Sequence, residues 1–572
     1  MNTKPWLAHY EPHVPEHGEY PDKVLPDILA ETAEAYGHRA AMIFKGARLT
    51  FREFNLAVNR FAAALQRLDV RPGDRVAVHL PNCPQYPIAY YAILRIGAVV
   101  VPCNPLYQAR EMVHQLNDSG ARVLVTLSAF YPLVKGIRAQ TQLQHVIVAQ
   151  IKTYFPPIVR LIFSLFMEES RGHRVSIAGA SNTYWFTRVL AAAPIRPQPI
   201  IVRPDDLAVL MYTGGTTGVS KAAMLTHRNI LVNAYQCKLW LNEPMGQDIT
   251  MTQVPLFHCY GMTTCLNLSV LSANTMVLVP DPRDLDDVVH TLFRAKPTLY
   301  PGVPAIYNAI NNYPDIAKYR LNSIRACISG AAGLPVEVQK RFQAITGASL
   351  VEGYGLSEAS PVTHANPIFG ENRIGTIGLP WPDTDVKIVD VETGEKELPA
   401  GERGELCVRG PQVMQGYWNM PEETANALRP DPADPDRPPW LHTGDVATMD
   451  ADGYFQIVDR KKDMILGAGG FNVYPREIED VLYQHPAVLE AAAIGVPEGA
   501  LGERIKVFIQ LKPGKTATEE QIIAFCRDNL APFKVPKYVE FRPELPKTTV
   551  GKILRRQLMT PAAQPEAEKT KV

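Results

Sequence analysis

Between Tyr212 and His227 the chain reads YTGGTTGVSKAAMLTH, directly after the apolar run LAVLM. Clustered glycines let backbone N–H groups approach an anion closely, and the neighbouring threonine hydroxyls and lysine ammonium add charge-assisted donors. That is the chemistry of a phosphate cradle. The pattern GxxxxGK[ST] cannot be aligned to these residues, so the loop is not of the Walker type. By composition alone, a flexible surface loop is the competing reading. Other groups with chemical reach follow: Glu358 in GYGLSEAS, Asp445 in HTGD, the charged run DRKKD from Asp459 to Asp463, and Lys552 in PKTTVGK. Taken singly, each has a plain structural explanation: a surface Glu on a helix, a turn cap, a solvated face and a solubility lysine.

These residues need a scaffold, and the chain has length for one. Its 572 residues correspond to about four folding units at roughly 150 residues each, or fewer with one large body. A lone small binding module is excluded. Lys plus Arg and Asp plus Glu are 58 each, so no net field holds nucleic acid by counterion release, and no nucleic-acid partner is expected. Hydrophobic residues at 46% and charged residues at 20% are ordinary for a chain with a large core. Eight cysteines without a CxxC pair fit neither a disulfide framework nor a zinc site, and suit a reducing cytosol. The opening MNTKPWLAHYEPHVPEHGEY has no apolar stretch of signal-peptide length. The largely apolar region from Ile88 to Val101 is interrupted by Arg95 and Gly97, and is shorter than the roughly 20 residues that span a bilayer. A cytoplasmic protein without a transmembrane anchor is expected.

From about Leu25 to Leu127, helical patterns such as FREFNLAVNRFAAALQRL and PIAYYAILRIG alternate with the apolar runs RVAVHLP, AVVVPCNP and RVLVTL. This predicts an α/β fold. MVLVP, TLYPGVP and RACISG are further strand candidates, so two α/β sheets are expected in one large N-terminal domain. The stretch from Val386 to Gly410 reads as short strands with turns, a small β subdomain. Helix and strand patterns resume after DRKKD with REIEDVLYQHP and VFIQL. A boundary there gives an N-terminal domain 1–459 and a small α+β C-terminal domain 460–572. The tail after Arg556 is poor in apolar residues and is expected to fray.

In order along the chain come YTGGTTGVSK, PLFH (255–258), SGAAGLP (329–335), GYGLSEAS (353–360), HTGD (442–445), DRKKD, FNVYPRE (471–477) and PKTTVGK (546–552). This series resembles the adenylate-forming superfamily of acyl-CoA synthetases, luciferases and peptide-synthetase adenylation domains. It covers about residues 25 to 556, and YTGGTTG, DRKKDMIL, FNVYP and PKTTVGKILRR look most like bacterial long-chain fatty acid–CoA ligases.

The resemblance implies roles position by position. Thr213, Gly214, Gly215, Thr216, Thr217, Gly218 and Lys221 would wrap the β- and γ-phosphates of ATP. Glu358 would hold Mg²⁺, helped by Thr213. Gly330, Ala331, Ala332, Glu352, Gly353, Tyr354 and Ser357 would form the adenine and ribose-phosphate pocket, and Asp445 would accept both ribose hydroxyls. Arg460 would sit near the ribose, Lys462 at an interdomain hinge, and Gly469 and Gly470 beside the pantetheine channel for CoA. Lys552 would meet the carboxylate and the α-phosphate together. His258 would flank the carboxylate as a gate, with a buried structural histidine as the equal alternative. Gly355 and Ser357 also match the hydrolase elbow GxSxG, but Ala359 replaces its last glycine.

Two departures stand out. MILGAGGFNVYP has one residue more than its relatives before FNVYP, and Ala222-Ala223 replaces the common Gly-Val, a change tolerated unless a Cβ crowds the phosphates. The implied reaction is ATP plus fatty acid to acyl-AMP and pyrophosphate, then CoA displacing AMP. A synthetase for a medium-chain or aryl acid, a ligase to a carrier protein, and a non-catalytic fatty-acid or nucleotide-binding or membrane-uptake partner are the alternatives. An acyl tunnel is first sought between Cys259 and Leu268. Each buried methylene contributes roughly 0.8 kcal/mol, so six more carbons add up to about 5 kcal/mol. The run IKTYFPPIVRLIFSLFMEE (151–169) reads equally as a buried core helix or as a peripheral membrane contact on the inner membrane face.

Overall fold

A computed structural model describes residues 4–213, 220–466, 472–497, 503–548 and 552–559. The chain divides into two compact units. The first comprises Met1–Lys387, Cys407–Thr443 and Ala451–Tyr454, and the second Ile388–Leu406, Gly444–Asp450 and Phe455–Val572.

In the first unit, Val-rich runs bounded by turn residues become the strands of a seven-stranded sheet. Its order is Thr183–Trp185, His145–Ala149, Val123–Leu127, Arg75–His79, Val99–Pro102, Leu207–Thr213 and Lys221–Thr226. Every pairing is parallel except the last, an antiparallel hairpin. Crossover helices such as Gln85–Arg95 and Ala109–Ser119 cover it. Strand Val123–Leu127 is buried along its whole length, as in parallel sheets with both faces covered. Thr50 starts helix Phe51–Arg67 by accepting the Glu53 N–H at 3.2 Å, while Glu53 returns the bond to the Thr50 N–H.

A second array joins two four-stranded groups. One contains Ile249–Thr252, Thr275–Leu278, Ala40–Phe44 and Ala47–Thr50, and the other Ala326–Ser329, Ser349–Gly355, Val362–Ala365 and Leu379–Pro380. Leu299 bridges them by pairing with Thr250 on one side and Ala326 on the other. TLYPGVP, expected as a strand, makes only isolated bridges at Leu299 and Gly302. Pro297, Pro301 and Pro304 supply no N–H, so a continuous ladder cannot form there.

In the second unit, Val488–Pro497 pairs antiparallel with Glu503–Leu511, which pairs parallel with Tyr538–Phe541. Ile478 and Leu482 of helix Pro475–Leu482 and Ile522 and Cys526 of helix Glu519–Asn529 close its core against Ala491, Val507 and Val539. The stretch read as short strands with turns contains strands Asp385–Val389 and Gly404–Arg409. Among the described residues no helix is long and apolar enough to cross a membrane.

Candidate active site

Strands Leu207–Thr213 and Lys221–Thr226 pair antiparallel on either side of the Gly- and Thr-rich segment, with Thr213 opposite Lys221. Ser220 Oγ donates to the Thr213 carbonyl at 2.6 Å and closes the neck. Gly214, Gly215, Thr216, Thr217 and Gly218 lie outside the described residues. Thr226 caps the helix that follows, His227–Leu241, by accepting the Asn229 N–H at 3.1 Å. The lysine at the neck already holds an anion: the Lys221 ammonium donates to the Glu423 carboxylate, and it stands 5.4 Å from the centre of the Tyr417 ring.

Residues 415–418 run beside strand Lys221–Thr226. The Gln415 N–H donates to Met224, Met224 to Gly416 and Trp418 to Ala222, all at 2.9–3.0 Å. This edge delivers Tyr417, whose hydroxyl donates to Glu358 Oε1 at 2.7 Å. The Met414 N–H donates to the Glu358 carbonyl at 2.8 Å, so Glu358 is held by backbone and side chain from one segment. Burial, and then the charge of Glu358, raise the Tyr417 phenol far above its ordinary range and keep it a donor. Ala222 and Ala223 are buried in different hydrophobic clusters, as successive residues of a strand must be. Their methyl groups pack into the core.

SGAAGLP and GYGLSEAS leave the ends of adjacent parallel strands, with Ser329 opposite Glu352. Ligands bind at such carboxyl ends in open α/β sheets. Gly330 lies against Tyr260, where a Cβ would stand 3.3 Å from the ring, and Ala331 and Ala332 beyond it are exposed. Glu352 and Gly353 are buried, and Tyr354 is half-buried with its ring edge-on to His364 at 6.0 Å. At Gly355 a Cβ would collide with the Pro361 carbonyl, so the turn into Ser357–Ala359 requires glycine.

Ser357 Oγ lies 3.3 Å from Cys259 Sγ, and that sulfur lies 3.7 Å from His258 Nδ1. The fold therefore brings PLFH beside GYGLSEAS. His258 Nδ1 accepts the Tyr260 N–H at 3.2 Å, and burial pushes the imidazole down to about 4. It is neutral at physiological pH and carries its proton on Nε2. Beyond it, Gly261–Asn267 winds as a π-helix, an irregular turn common at functional sites. Thr264 and Leu268 line an apolar void of ≈ 20 Å³ with Cys237, Leu241, Tyr300 and Ile328. That is room for about one water.

In the second unit Asp445 and Arg460 are direct partners across an antiparallel pair. Arg460 Nε is 3.2 Å from the largely buried Asp445 carboxylate. Lys552 belongs to the same cluster. Burial, and next the positive charge of Arg460, bring its ammonium down to about 8 against the opposing influence of Asp445 and Asp463. PKTTVGK closes on itself: the Thr548 N–H donates to the Lys552 carbonyl at 2.8 Å, and the Lys552 N–H to Thr548 Oγ1 at 3.1 Å. Lys462 is exposed, and Gly469 and Gly470 lie outside the described residues.

The chain matches the family model of the AMP-binding enzyme over residues 29–418 and that of the AMP-binding enzyme C-terminal domain over 477–552. The chain belongs to the AMP-binding enzyme family. It is 44% identical to a long-chain-fatty-acid–CoA ligase of Bacillus subtilis (strain 168), over 98% of both chains. It is 41% identical to one of Escherichia coli O6:H1, over 97% of this chain and 98% of that one. Among solved structures, the anthranilate CoA ligase AuaEII in complex with anthranoyl-AMP superposes with a TM-score of 0.82 at 29% identity, covering 94% of this chain and 96% of that chain.

In this AMP-binding enzyme the motif residues contact side chains that the sequence motifs did not single out. Tyr417 and Glu423 lie far along the chain from Glu358 and Lys221, and no nearby motif marks them. Arg555 was also missed. It reaches Glu479 at 2.7 Å, Asp463 at 3.1 Å and Asp459 at 3.2 Å, so both ends of DRKKD are tied to one half-buried cation. Its only signal was the basic pair in ILRR.

The Glu358 carboxylate fits a divalent cation. Oε1 accepts a hydrogen bond from the Tyr417 hydroxyl, and Oε2 has no hydrogen bond among the described residues, leaving a hard oxygen open. The turn Ser357–Ala359 packs against strand Leu207–Thr213, which ends in the Thr213 hydroxyl. A single hard carboxylate suits Mg²⁺, which completes its shell with phosphate and water. Tyr417→Phe keeps the ring and removes only the bond to Glu358. A hydrogen bond to a charged group contributes about 1.5–3 kcal/mol, so pyrophosphate release should fall at least about tenfold at limiting Mg²⁺. A Mg²⁺ titration identical to that of the parent would show that Tyr417 does not position Glu358.

Proposed function

We propose that the chain is an ATP- and Mg²⁺-dependent long-chain fatty acid–CoA ligase. The observation that carries this is its near-full-length likeness to two bacterial enzymes named for that reaction. A carboxylate resists thiol attack because oxide is a poor leaving group. The fatty acid oxygen therefore attacks the α-phosphorus of ATP, the bond to the β-phosphate oxygen breaks, and pyrophosphate departs. The CoA thiolate then attacks the acyl carbon and AMP leaves.

Lys221, which already holds a carboxylate, binds the outer phosphates beside Thr213 and the loop 214–218. Mg²⁺ on Glu358 neutralises phosphate charge when bound. Gly330, Ala331, Ala332, Glu352, Gly353, Tyr354 and Ser357 receive the adenosine end, and Asp445, oriented by Arg460, accepts the ribose diol. Neutral His258 can donate from Nε2 to the fatty acid carboxylate, which suits a gate and not a base. Lys552 supplies positive charge where the carboxylate meets the α-phosphate. In this reading 1–459 is the acid-activating body and 460–572 the mobile domain, with Lys462 in the hinge and Gly469 and Gly470 beside the pantetheine. The acyl chain enters beside 259–268 by displacing packed side chains, since the present void is small. The enzyme works peripherally on the inner membrane face, a reading supported by segment 151–169.

The deciding experiment is pyrophosphate release with ATP and Mg²⁺ across acids from acetate to oleate, with and without CoA. Release rising with chain length, with thioester only when CoA is present, is the expected outcome. Release without thioester assigns a carrier-protein ligase, an optimum at short or aryl acids assigns another synthetase, and no release with any acid assigns a binding protein.

A further inference from the structure

Residues 151–174 fold with their apolar side outward. Pro156 and Pro157 open helix Pro157–Ile162, which continues through the π-helical turn Phe163–Met167. Ile158, Leu161, Ile162, Leu165 and Phe166 are exposed, while Ser164 and Met167 are half-buried and Glu168 is buried. A surface helix of a globular domain ordinarily turns the apolar set inward. Here Ile158 is 74% exposed, Leu161 60%, Leu165 64% and Phe166 76%. The polar side faces the protein, where the Lys152 ammonium donates to Ser164 Oγ at 3.0 Å and Glu168 Oε2 at 2.7 Å. Phe155 and Phe163 anchor the segment edge to face at 5.3 Å, packed on Phe44 and His173. A partly buried ion pair and two rings thus fix the orientation.

The charge pattern points to an occupant. The segment carries Lys152, Arg160, Arg171 and Arg174 against Glu168 and Glu169, four cations to two carboxylates. Both carboxylates are taken, Glu168 by Lys152 and Glu169 by Arg174, each at 2.7 Å. Arg160 and Arg171 are exposed and outside any ion pair among the described residues, Arg171 acting on Asp281 only through longer-range charge. We propose that this ridge docks the enzyme on an anionic bilayer, with Ile158, Leu161, Ile162, Leu165 and Phe166 at the headgroup–acyl boundary and Arg160 and Arg171 at the lipid phosphates. The apolar side chains stand out from the surface as a ridge, the shape that enters lipid. A fatty acid substrate is itself dissolved in bilayers, an argument that rests on the proposed function, whereas the ridge and its charge do not.

The test is flotation of the full chain with vesicles of equimolar phosphatidylethanolamine and phosphatidylglycerol, and with phosphatidylcholine alone, without ATP, acid or CoA. The parent should float with the anionic vesicles. Leu165→Ser with Phe166→Ser should lower partition at least about tenfold. Arg160→Gln with Arg171→Gln should lower it about tenfold on anionic vesicles and leave the weaker binding to phosphatidylcholine unchanged. Phe166→Trp should shift its emission to the blue on binding. Octanoate turnover in vesicle-free buffer should match the parent in every variant, showing that each folds. Loss of that turnover in the parent counts against the ligase reading and leaves the docking result standing. The proposal fails if the parent does not float, or if the double serine variant floats as well as the parent. It also fails if the parent is a dimer without lipid that the serine substitutions dissociate, since a second copy then covers the ridge.

Discussion

Lys552→Ala should slow acyl-AMP formation about a hundredfold to a thousandfold while thioester formation from supplied acyl-AMP stays within a few fold of the parent. In the first half-reaction two anions meet, a carboxylate and a triphosphate, and a fixed positive charge between them lowers the barrier as charge shifts toward pyrophosphate. Removing one such preorganised donor costs about a hundredfold to a thousandfold. In the second half-reaction the acyl-AMP already carries its leaving group, so the ammonium is not needed. The environment adds a pH signature. Burial and Arg460 bring the Lys552 ammonium down to about 8, so the charged form predominates below that pH and is lost above it. Activation in the parent should therefore fall about tenfold per pH unit on the alkaline side, a limb absent from the residual rate of the alanine variant. Rapid-quench measurement of both half-reactions checks both statements. Equal loss in the two would remove the two-step use of the C-terminal domain.

Glu358→Gln should cost activation about a thousandfold at saturating ATP, with a steep rise in the Mg²⁺ needed for half-maximal rate. The substitution isolates charge from geometry. Glutamine keeps a carbonyl oxygen to accept the Tyr417 hydroxyl, 2.7 Å from Oε1 in the parent, and its backbone remains held by Met414. What disappears is the hard anionic oxygen, and a bound metal supplies several kcal/mol of charge stabilisation to a phosphoryl transition state. Thermal melting should not change, because the carboxylate makes no ion pair among the described residues. Normal Mg²⁺ dependence in the Glu358→Gln variant would place the cation elsewhere.

Local sequence was a strong guide wherever the physics is local. Alternating helical and strand periods from Leu25 to Leu127 appear in the seven-stranded sheet and its crossover helices, because period decides which residues share a face. The structure holds Lys221 on a hairpin, Glu358 in the turn Ser357–Ala359 and Lys552 on the C-terminal segment. TLYPGVP failed as a strand because its two prolines, with Pro297 just before them, cannot sustain the hydrogen bonding that its apolar pattern implied.

What tertiary structure decided is who meets whom. Tyr417 reaches Glu358 because residues 415–418 add along the hairpin that carries Lys221, and Arg555 gathers Asp459, Asp463 and Glu479 from two stretches of chain. No local period encodes such pairings, since each depends on how separate elements pack. The same limit applies to 151–169. Its sequence says which side of the helix is apolar, and leaves open whether that side is core or surface. The Lys152–Glu168 pair and the Phe155–Phe163 contact settle the question by anchoring the polar side inward, which leaves the apolar side exposed.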